Sequence, residues 1–138
     1  MRIEDLESGV EAEELETEKD ASEAKMAELE TRLNQIQEAK EKMDGELAKT
    51  LEKNEQLVKD DIEKEQEKQE QLKQKVLDFE KDLQDIEDTN IENQGEISTL
   101  QMLGEDVSEG QKIIAKRTKV IEDAKAKIRN LKDSLGMH

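Results

Sequence analysis

Residues 72–86 read LKQKVLDFEKDLQDI, and this stretch decides the fold. Its apolar residues follow one another at steps of four and three: Leu72, Val76, Phe79, Leu83 and Ile86. That spacing places them on one face of an α-helix that packs against another helix. Stepping by seven from Val58 to Leu135 meets an apolar residue at ten of twelve positions. The pattern predicts long helices with a heptad repeat.

The same register, followed in both directions, gives a predicted packing seam. It comprises Val58, Ile62, Leu72, Val76, Phe79, Leu83, Ile86, Ile97, Leu100, Ile114, Ile121, Ile128 and Leu135. A seam this narrow must be covered by other helices, because a single helix has little apolar area to bury by itself. We therefore expect an all-α protein whose long heptad-repeat helices form a coiled coil or an antiparallel helical bundle.

The composition excludes an ordinary mixed core. The chain has 138 residues, of which 43% are charged and 32% hydrophobic, with one Phe and neither Trp nor Tyr. Its 22 basic and 38 acidic residues give a net charge of −16, which is also typical of disordered acidic chains. However, it contains no Pro and six Gly, and the abundant Glu, Lys, Gln, Leu and Ala favour helix. Long helices are the better interpretation.

The first expected irregularity lies near residues 44–45. The apolar stripe shifts its phase there through Met43, Leu47 and Leu51, which are two successive steps of four. Such a stutter unwinds a supercoil locally. Gly45 fits either a tolerated irregularity in one helix or a tight turn between two, and two residues are few for a reversal. The sequence slightly favours the tolerated irregularity.

Two further breaks are expected downstream. Residues 88–95 place Asn90 and Asn93 on the seam and end in Gly95, which favours helix termination. Residues 104–110 contain two Gly around a cap that Asp106 or Ser108 can provide.

These breaks leave two topologies open within a single elongated unit over residues 1–138. Turns near residue 44 and over 88–95 give three arms of similar length in an up-down-up bundle. The alternative is one helix of about 87 residues, some 130 Å long, with a shorter returning arm. Both are all-α.

The charge is divided unevenly along the chain. Residues 111–138 carry eight basic and three acidic groups, whereas residues 1–30 carry twelve acidic groups and three basic ones. One interpretation is simple matching of helix polarity on solvated faces. The other is docking of the basic C-terminal helix on acidic helices, within a chain or between chains. The second predicts that Lys116, Arg117, Lys125 and Arg129 lie near carboxylates of another helix or of another protomer.

Side chains for catalysis are scarce. The chain has no Cys, and its one His is the terminal His138, so no imidazole pair or thiolate site can form. A narrow seam offers no dry pocket to tune carboxylates as acid and base. We expect no enzyme and no cofactor. Residues 88–99 resemble an EF-hand loop at its first positions but lack Gly at the sixth and Glu at the twelfth, which leaves only diffuse, low-affinity Ca²⁺ binding.

Nucleic acid and membrane are disfavoured as partners. Phosphate binding needs a net basic surface, and this chain is strongly acidic. The longest apolar run is Ile113–Ala115, far below the roughly 20 residues of a membrane span. A surface role of residues 111–135 at a membrane is conceivable, since the segment is basic and amphipathic, but it lacks Trp and Phe.

Two stretches carry a resemblance to known structural proteins. Residues 11–18 (EAEELETE) and 26–33 (MAELETRL) resemble the heptads of myosin rods and tropomyosin. The whole chain, being small, acidic and free of Pro with Asn- and Gly-containing breaks, is similar to the trichocyst matrix proteins of ciliates. That resemblance implies a processed polypeptide in the crystalline lattice of a secretory granule, which expands on Ca²⁺-triggered release.

We therefore expect a structural protein that associates with itself or with related coiled-coil chains, as a homo- or hetero-oligomer, into a filament or lattice. The alternative function is an adaptor or chaperone-like helical hairpin with an exposed groove for a client. The expected location is the cytoplasm if Met1 is the native start, and a secretory granule if the chain is a processed fragment.

Overall fold

A computed structural model describes the backbone of residues 3–137 and the side chains of residues 9–137. This part of the chain forms three helices and no strand: α1 (Ile3–Lys42), α2 (Gly45–Met102) and α3 (Ser108–Ser134). The prediction of an all-α helical bundle is confirmed. Long helices form because helix-favouring residues dominate and Pro, which would break them, does not occur.

The expectation of a tolerated irregularity at residues 44–45 is wrong, because a tight turn lies there. Only Met43 and Asp44 separate α1 from α2. Gly45 has a φ of +58°, a left-handed conformation that only Gly adopts without strain. The Asp44 carbonyl accepts the Ala48 amide at 3.4 Å and thereby starts α2. A glycine with positive φ is what allows so short a link to reverse the chain.

The break expected over residues 88–95 does not occur, since α2 continues through this segment to Met102. Asn90 is buried, and its Nδ2 donates a hydrogen bond to Thr118 Oγ1 of α3 at 3.1 Å. A polar side chain with a partner on the facing helix can occupy a packing position without ending the helix. Gly95 faces open space and takes part in the helix with a negative φ.

A break does lie within residues 103–107, overlapping the predicted one at 104–110. Gly104, with a φ of +87°, donates its amide to the Gln101 carbonyl at 3.0 Å. The Glu105 amide reaches back to the Leu100 carbonyl at 3.1 Å. This pair of bonds is a Schellman motif, which satisfies the last carbonyls of a helix and turns the chain. Of the two downstream places where the sequence allowed a reversal, the chain therefore turns at the second.

The chain divides into two compact units. The three-helix unit combines the start of α1, through Glu16, with α2 from Lys73 onward and α3. Its core is aliphatic apart from one aromatic ring. The buried apolar residues described in it are Ala12, Leu15, Val76, Phe79, Leu83, Ile114, Ile121, Ala124, Ile128 and Leu131.

The two-helix unit, residues 17–72, joins the second part of α1 to the first part of α2. Its buried apolar residues are Leu29, Val58 and Leu72. Ser22 and Glu65 are also buried, so polar groups occupy part of the contact between the helices. Glu55 pairs with Lys40 of α1 at 3.7 Å and with Lys59 of its own helix at 3.2 Å.

The structure buries most of the predicted seam. Phe79 and Leu83, at its centre, are almost completely enclosed. The other buried members are Val58, Leu72, Val76, Ile114, Ile121 and Ile128. Ile62, Ile86, Ile97 and Leu135 are half-buried. Leu100 is exposed because it lies in the last turn of α2, next to the reversal.

Candidate interaction surface

Charged contacts join α3 to both other helices of the three-helix unit. Lys132 Nζ lies 3.0 Å from Glu80 Oε2 of α2, and Lys125 forms a salt bridge with Glu87 one heptad further along. Lys127 Nζ lies 3.2 Å from Glu13 Oε1 of α1. These partly exposed pairs contribute about 0–1 kcal/mol each, and they fix the register of α3. The basic helix docks on acidic helices within the chain.

The four predicted docking residues differ in their surroundings. Lys125 makes the expected contact with a carboxylate of α2. Arg117 is half-buried on α3 and is not a free cation. Lys116 and Arg129 are exposed, and neither forms a salt bridge with any side chain among residues 9–137. For these two cations the expected contact within the chain is absent from the described residues.

Lys127 and Lys132 were not predicted as docking residues, although both belong to the same basic segment. The heptad spacing could have identified one of them. Lys132 follows Lys125 by seven residues, and Glu80 precedes Glu87 by seven, so one pairing in an antiparallel pair of helices implies the other. Lys127 pairs with Glu13 of α1 instead. This pair could not be predicted, because the sequence does not show that α1 lies beside α3.

A polar contact lies inside the packing between α2 and α3. Asn90 is 6% exposed, and besides its bond to Thr118 its Oδ1 accepts no hydrogen bond from the described residues. The Thr118 hydroxyl donates in turn to the Ile114 carbonyl at 2.9 Å. A buried acceptor without a donor costs about 1–3 kcal/mol, whereas the bond from Asn90 to Thr118 links α2 to α3.

Two cavities of about 420 Å³ each lie between α2 and α3. Leu83, Ile128 and Met137 form the apolar part of the first, and the Lys125 and Lys132 pairs with α2 border it. Ile97 and Ile114 are the large apolar residues of the second. Both cavities have mixed linings, since the remaining lining residues are mostly polar or charged.

The turn between α2 and α3 is apolar at its outer end. Met102 is 88% exposed, and Leu100 and Leu103 are also exposed.

A second feature of the turn is an Asp106–Ser108 contact at the start of α3. Asp106 Oδ1 accepts the Ser108 amide at 3.1 Å and the Ser108 hydroxyl, and these two bonds lower the pKa of Asp106 from its ordinary value of 3.8. Val107, not Asp106 or Ser108, occupies the N-cap position.

Among residues 9–137, no group of three His, Cys, Asp or Glu residues has the arrangement of a metal site. His138 lies outside the described residues. None of the helices, over their described length, has a stretch long and apolar enough to cross a membrane. No protein-family model, curated protein or solved structure matches the chain.

Proposed function

We propose that this chain is a structural helical protein that associates with itself into a filament or lattice. The observation that carries the proposal is the set of large apolar side chains left exposed on the surfaces of both units. These are Val10, Met43, Leu47, Leu57, Leu77, Ile91, Leu100, Met102 and Leu103. They lie on helix sides and at both turns, so the chain offers more than one contact surface. An extended assembly needs at least two surfaces per chain.

Charge supplies a second element of the proposal. The basic helix α3 docks on carboxylates within the chain, yet Lys116 and Arg129 remain exposed without an ion pair to residues 9–137. These cations are available for the acidic surface of another chain. Because exposed pairs are weak and are screened beyond roughly 8 Å at physiological salt, such an assembly forms and loosens with ionic conditions.

Light scattering of the purified chain across protein concentration and salt tests this function. We expect large species that grow with concentration and shrink as ionic strength rises. The double variant Lys116→Glu/Arg129→Glu should shift the onset of assembly to higher concentration. The matched control, Lys53→Glu/Lys64→Glu, reverses two exposed lysines of the two-helix unit. A chain that stays monomeric under all these conditions contradicts the proposal.

A finer form of the proposal is a calcium-responsive lattice of the kind found in a secretory granule. Its support is the resemblance to trichocyst matrix proteins together with the net charge of −16. Divalent cations would screen carboxylates diffusely, without a dedicated site. The same scattering experiment with Ca²⁺, and with Na⁺ at equal ionic strength, tests it. Identical curves for the two cations contradict a response to calcium beyond that to ionic strength.

The apolar end of the α2–α3 turn favours a second candidate function, an adaptor or chaperone-like hairpin that binds a client. Met102 and Leu103 are the most exposed large apolar residues described in the chain. A contiguous apolar tip is typical of a protein-binding site. This function predicts a small oligomer of fixed size across concentration. It also predicts that Met102→Ser/Leu103→Ser abolishes client binding and leaves the oligomer unchanged.

A further inference from the structure

The two cavities between α2 and α3 lie one after the other along the helix pair and form a groove in two parts. Leu83 lines the first and Ile97 the second, and the buried Asn90 lies midway, seven residues from each. On α3, Ile128 and Ile114 stand fourteen residues apart in the same two cavities. Residues at heptad spacing share one face of a helix, so these side chains form a single floor.

The wall of the groove on α2 carries an apolar stripe. Gln84 lines the first cavity and Ser98 the second, and Ile91 lies between them at heptad spacing. Leu77 precedes Gln84 by another seven residues. Ile91 is 58% exposed and Leu77 is 42% exposed. Two large apolar residues therefore stand beside the groove, about 21 Å apart along the helix, without being buried in this chain.

The opposite wall, on α3, is basic. Lys125 and Lys132 line the first cavity together with Arg129. Over residues 108–134, α3 holds eight basic and four acidic residues. The facing part of α2, residues 73–102, holds eight acidic and three basic residues. The groove thus runs between an acidic segment of α2 that carries exposed apolar residues and the basic helix α3, and the two helices are antiparallel.

Such a surface is complementary to itself. A twofold axis along the groove places α2 of one copy over α3 of the other, and α3 over α2. Each acidic α2 segment then meets a basic α3, and the stripe of Leu77 and Ile91 is covered by the partner's α3. A partner helix of uniform charge is repelled by one of the two walls, whereas a second copy matches both.

We infer that this groove is an interface between two copies of the chain, with the α2 wall of each copy packed on the α3 wall of the other. The inference rests on the proposed self-association and names the surface that performs it. Asn90, nine-tenths buried on the groove floor with an unused acceptor, is a polar group that fixes the register of such a contact. Arg129 supplies a cation whose carboxylate partner lies on the second copy.

Sedimentation equilibrium of single variants tests the groove. Ile91→Ser and Arg129→Glu should each raise the dissociation constant of the pair at least about tenfold, a loss of about 1.4 kcal/mol. The controls are Asn54→Ser and Lys53→Glu. Both residues are exposed on the same helix but belong to the two-helix unit. Because all four residues are on the surface, circular dichroism should show helix content equal to that of the unmodified chain.

The outcomes separate the two proposals. An unmodified chain that sediments as a monomer overturns the proposed function, and the groove inference with it. An associated chain whose dissociation constant is unchanged in Ile91→Ser and Arg129→Glu overturns the groove inference alone. Equal weakening by all four variants also overturns it, because the effect is then not confined to this face. Loss of association in the two groove variants, with both controls unaffected, supports it.

Discussion

The three-helix unit and the two-helix unit share the same long helices but differ in how much apolar surface they bury. Among residues 9–137, ten buried apolar side chains belong to the three-helix unit and three to the two-helix unit. The two-helix unit also buries Glu65 and Ser22. The difference comes from α3, which adds a third face to the contact between α1 and α2. A heptad stripe becomes a substantial core only where a third helix covers it.

The two units also differ in the salt bridges that join their helices. Salt bridges of the three-helix unit join α3 to both other helices through Lys125, Lys127 and Lys132. In the two-helix unit one described pair, Lys40 with Glu55, crosses between the helices. We therefore expect the two-helix unit to open more readily than the three-helix unit, since local stability follows buried apolar contact.

Removal of a central core side chain from the three-helix unit should have the largest effect. Leu83 is 1% exposed, and Leu83→Ala leaves a cavity in the best-packed part of the chain. We expect a loss of about 2–5 kcal/mol in the free energy of unfolding, measured by urea denaturation. The control is Leu57→Ala, which truncates an exposed leucine of the same helix and should change stability by less than about 0.5 kcal/mol. Equal effects of the two variants would show that the core is not where the structure places it.

Replacement of the buried Glu65 should narrow the difference in stability between the two-helix unit and the three-helix unit. Glu65 is 7% exposed, and its described ion pair is with Lys68 at 3.9 Å, one turn along the same helix. It occupies the heptad position between Val58 and Leu72, so Glu65→Leu continues their apolar stripe. We expect a gain of about 1–3 kcal/mol, because an apolar side chain at a buried charged site is neutral to stabilising and adds buried area.

Amide hydrogen exchange measures that gain by residue. Slower exchange should appear in the two-helix unit and leave the three-helix unit nearly unchanged. The control is Glu63→Leu, on an exposed position of the same helix, which should not slow exchange. If Glu65→Leu accelerates exchange, the carboxylate has a stabilising role that its surroundings do not reveal.

The seam was predictable from the sequence because heptad spacing depends only on helix geometry. Ten of the twelve positions in the heptad series from Val58 to Leu135 are apolar, and that excess identifies one face whatever the helix packs against. The predicted seam residues are buried or half-buried in α2 up to Ile97, and again in the C-terminal part of the chain from Ile114 onward. The all-α class followed from the same signal and from the absence of Pro.

The chain reversals were harder to place, because they depend on backbone conformation and on tertiary partners. Gly45 and Gly95 look alike in sequence, yet Gly45 adopts a positive φ and turns the chain, whereas Gly95 stays helical. Asn90 suggested a helix end, and its partner Thr118 is 28 residues away. The groove likewise needed the structure, since its two walls come from helices whose relative register the sequence did not fix.

The contrast between these glycines gives the next prediction. A Cβ at Gly95 meets nothing within 4 Å, so Gly95→Ala should stabilise α2 by about 0.5–1 kcal/mol through lower backbone entropy of the unfolded chain. The control is Gly45→Ala, which places a side chain at a φ of +58° and should destabilise by about 1–2 kcal/mol. Thermal unfolding of both variants measures the effects. Stabilisation by Gly45→Ala would contradict the tight turn between α1 and α2.

The smallest expected effect concerns the pH dependence of the α2–α3 turn. Hydrogen bonds from the hydroxyl and the amide of Ser108 lower the pKa of Asp106, so the carboxylate form is favoured in the folded chain. A depressed folded pKa contributes stability above the ordinary value of 3.8, and this contribution is lost as the pH falls through the folded pKa. Ser108→Ala removes the hydroxyl, the larger cause, and should raise the pKa of Asp106 toward 3.8. NMR titration of the Asp106 side-chain carboxyl carbon measures this pKa directly.

The control is Ser98→Ala, which removes a hydroxyl that donates to the Gln94 carbonyl and should leave the titration of Asp106 unchanged. An Asp106 pKa that is the same in the unmodified chain and in Ser108→Ala would mean that the Ser108 hydroxyl does not form this contact in solution. The start of α3 would then be positioned by contacts that do not need the hydroxyl, among them the close approach of Gly110 to Ile97.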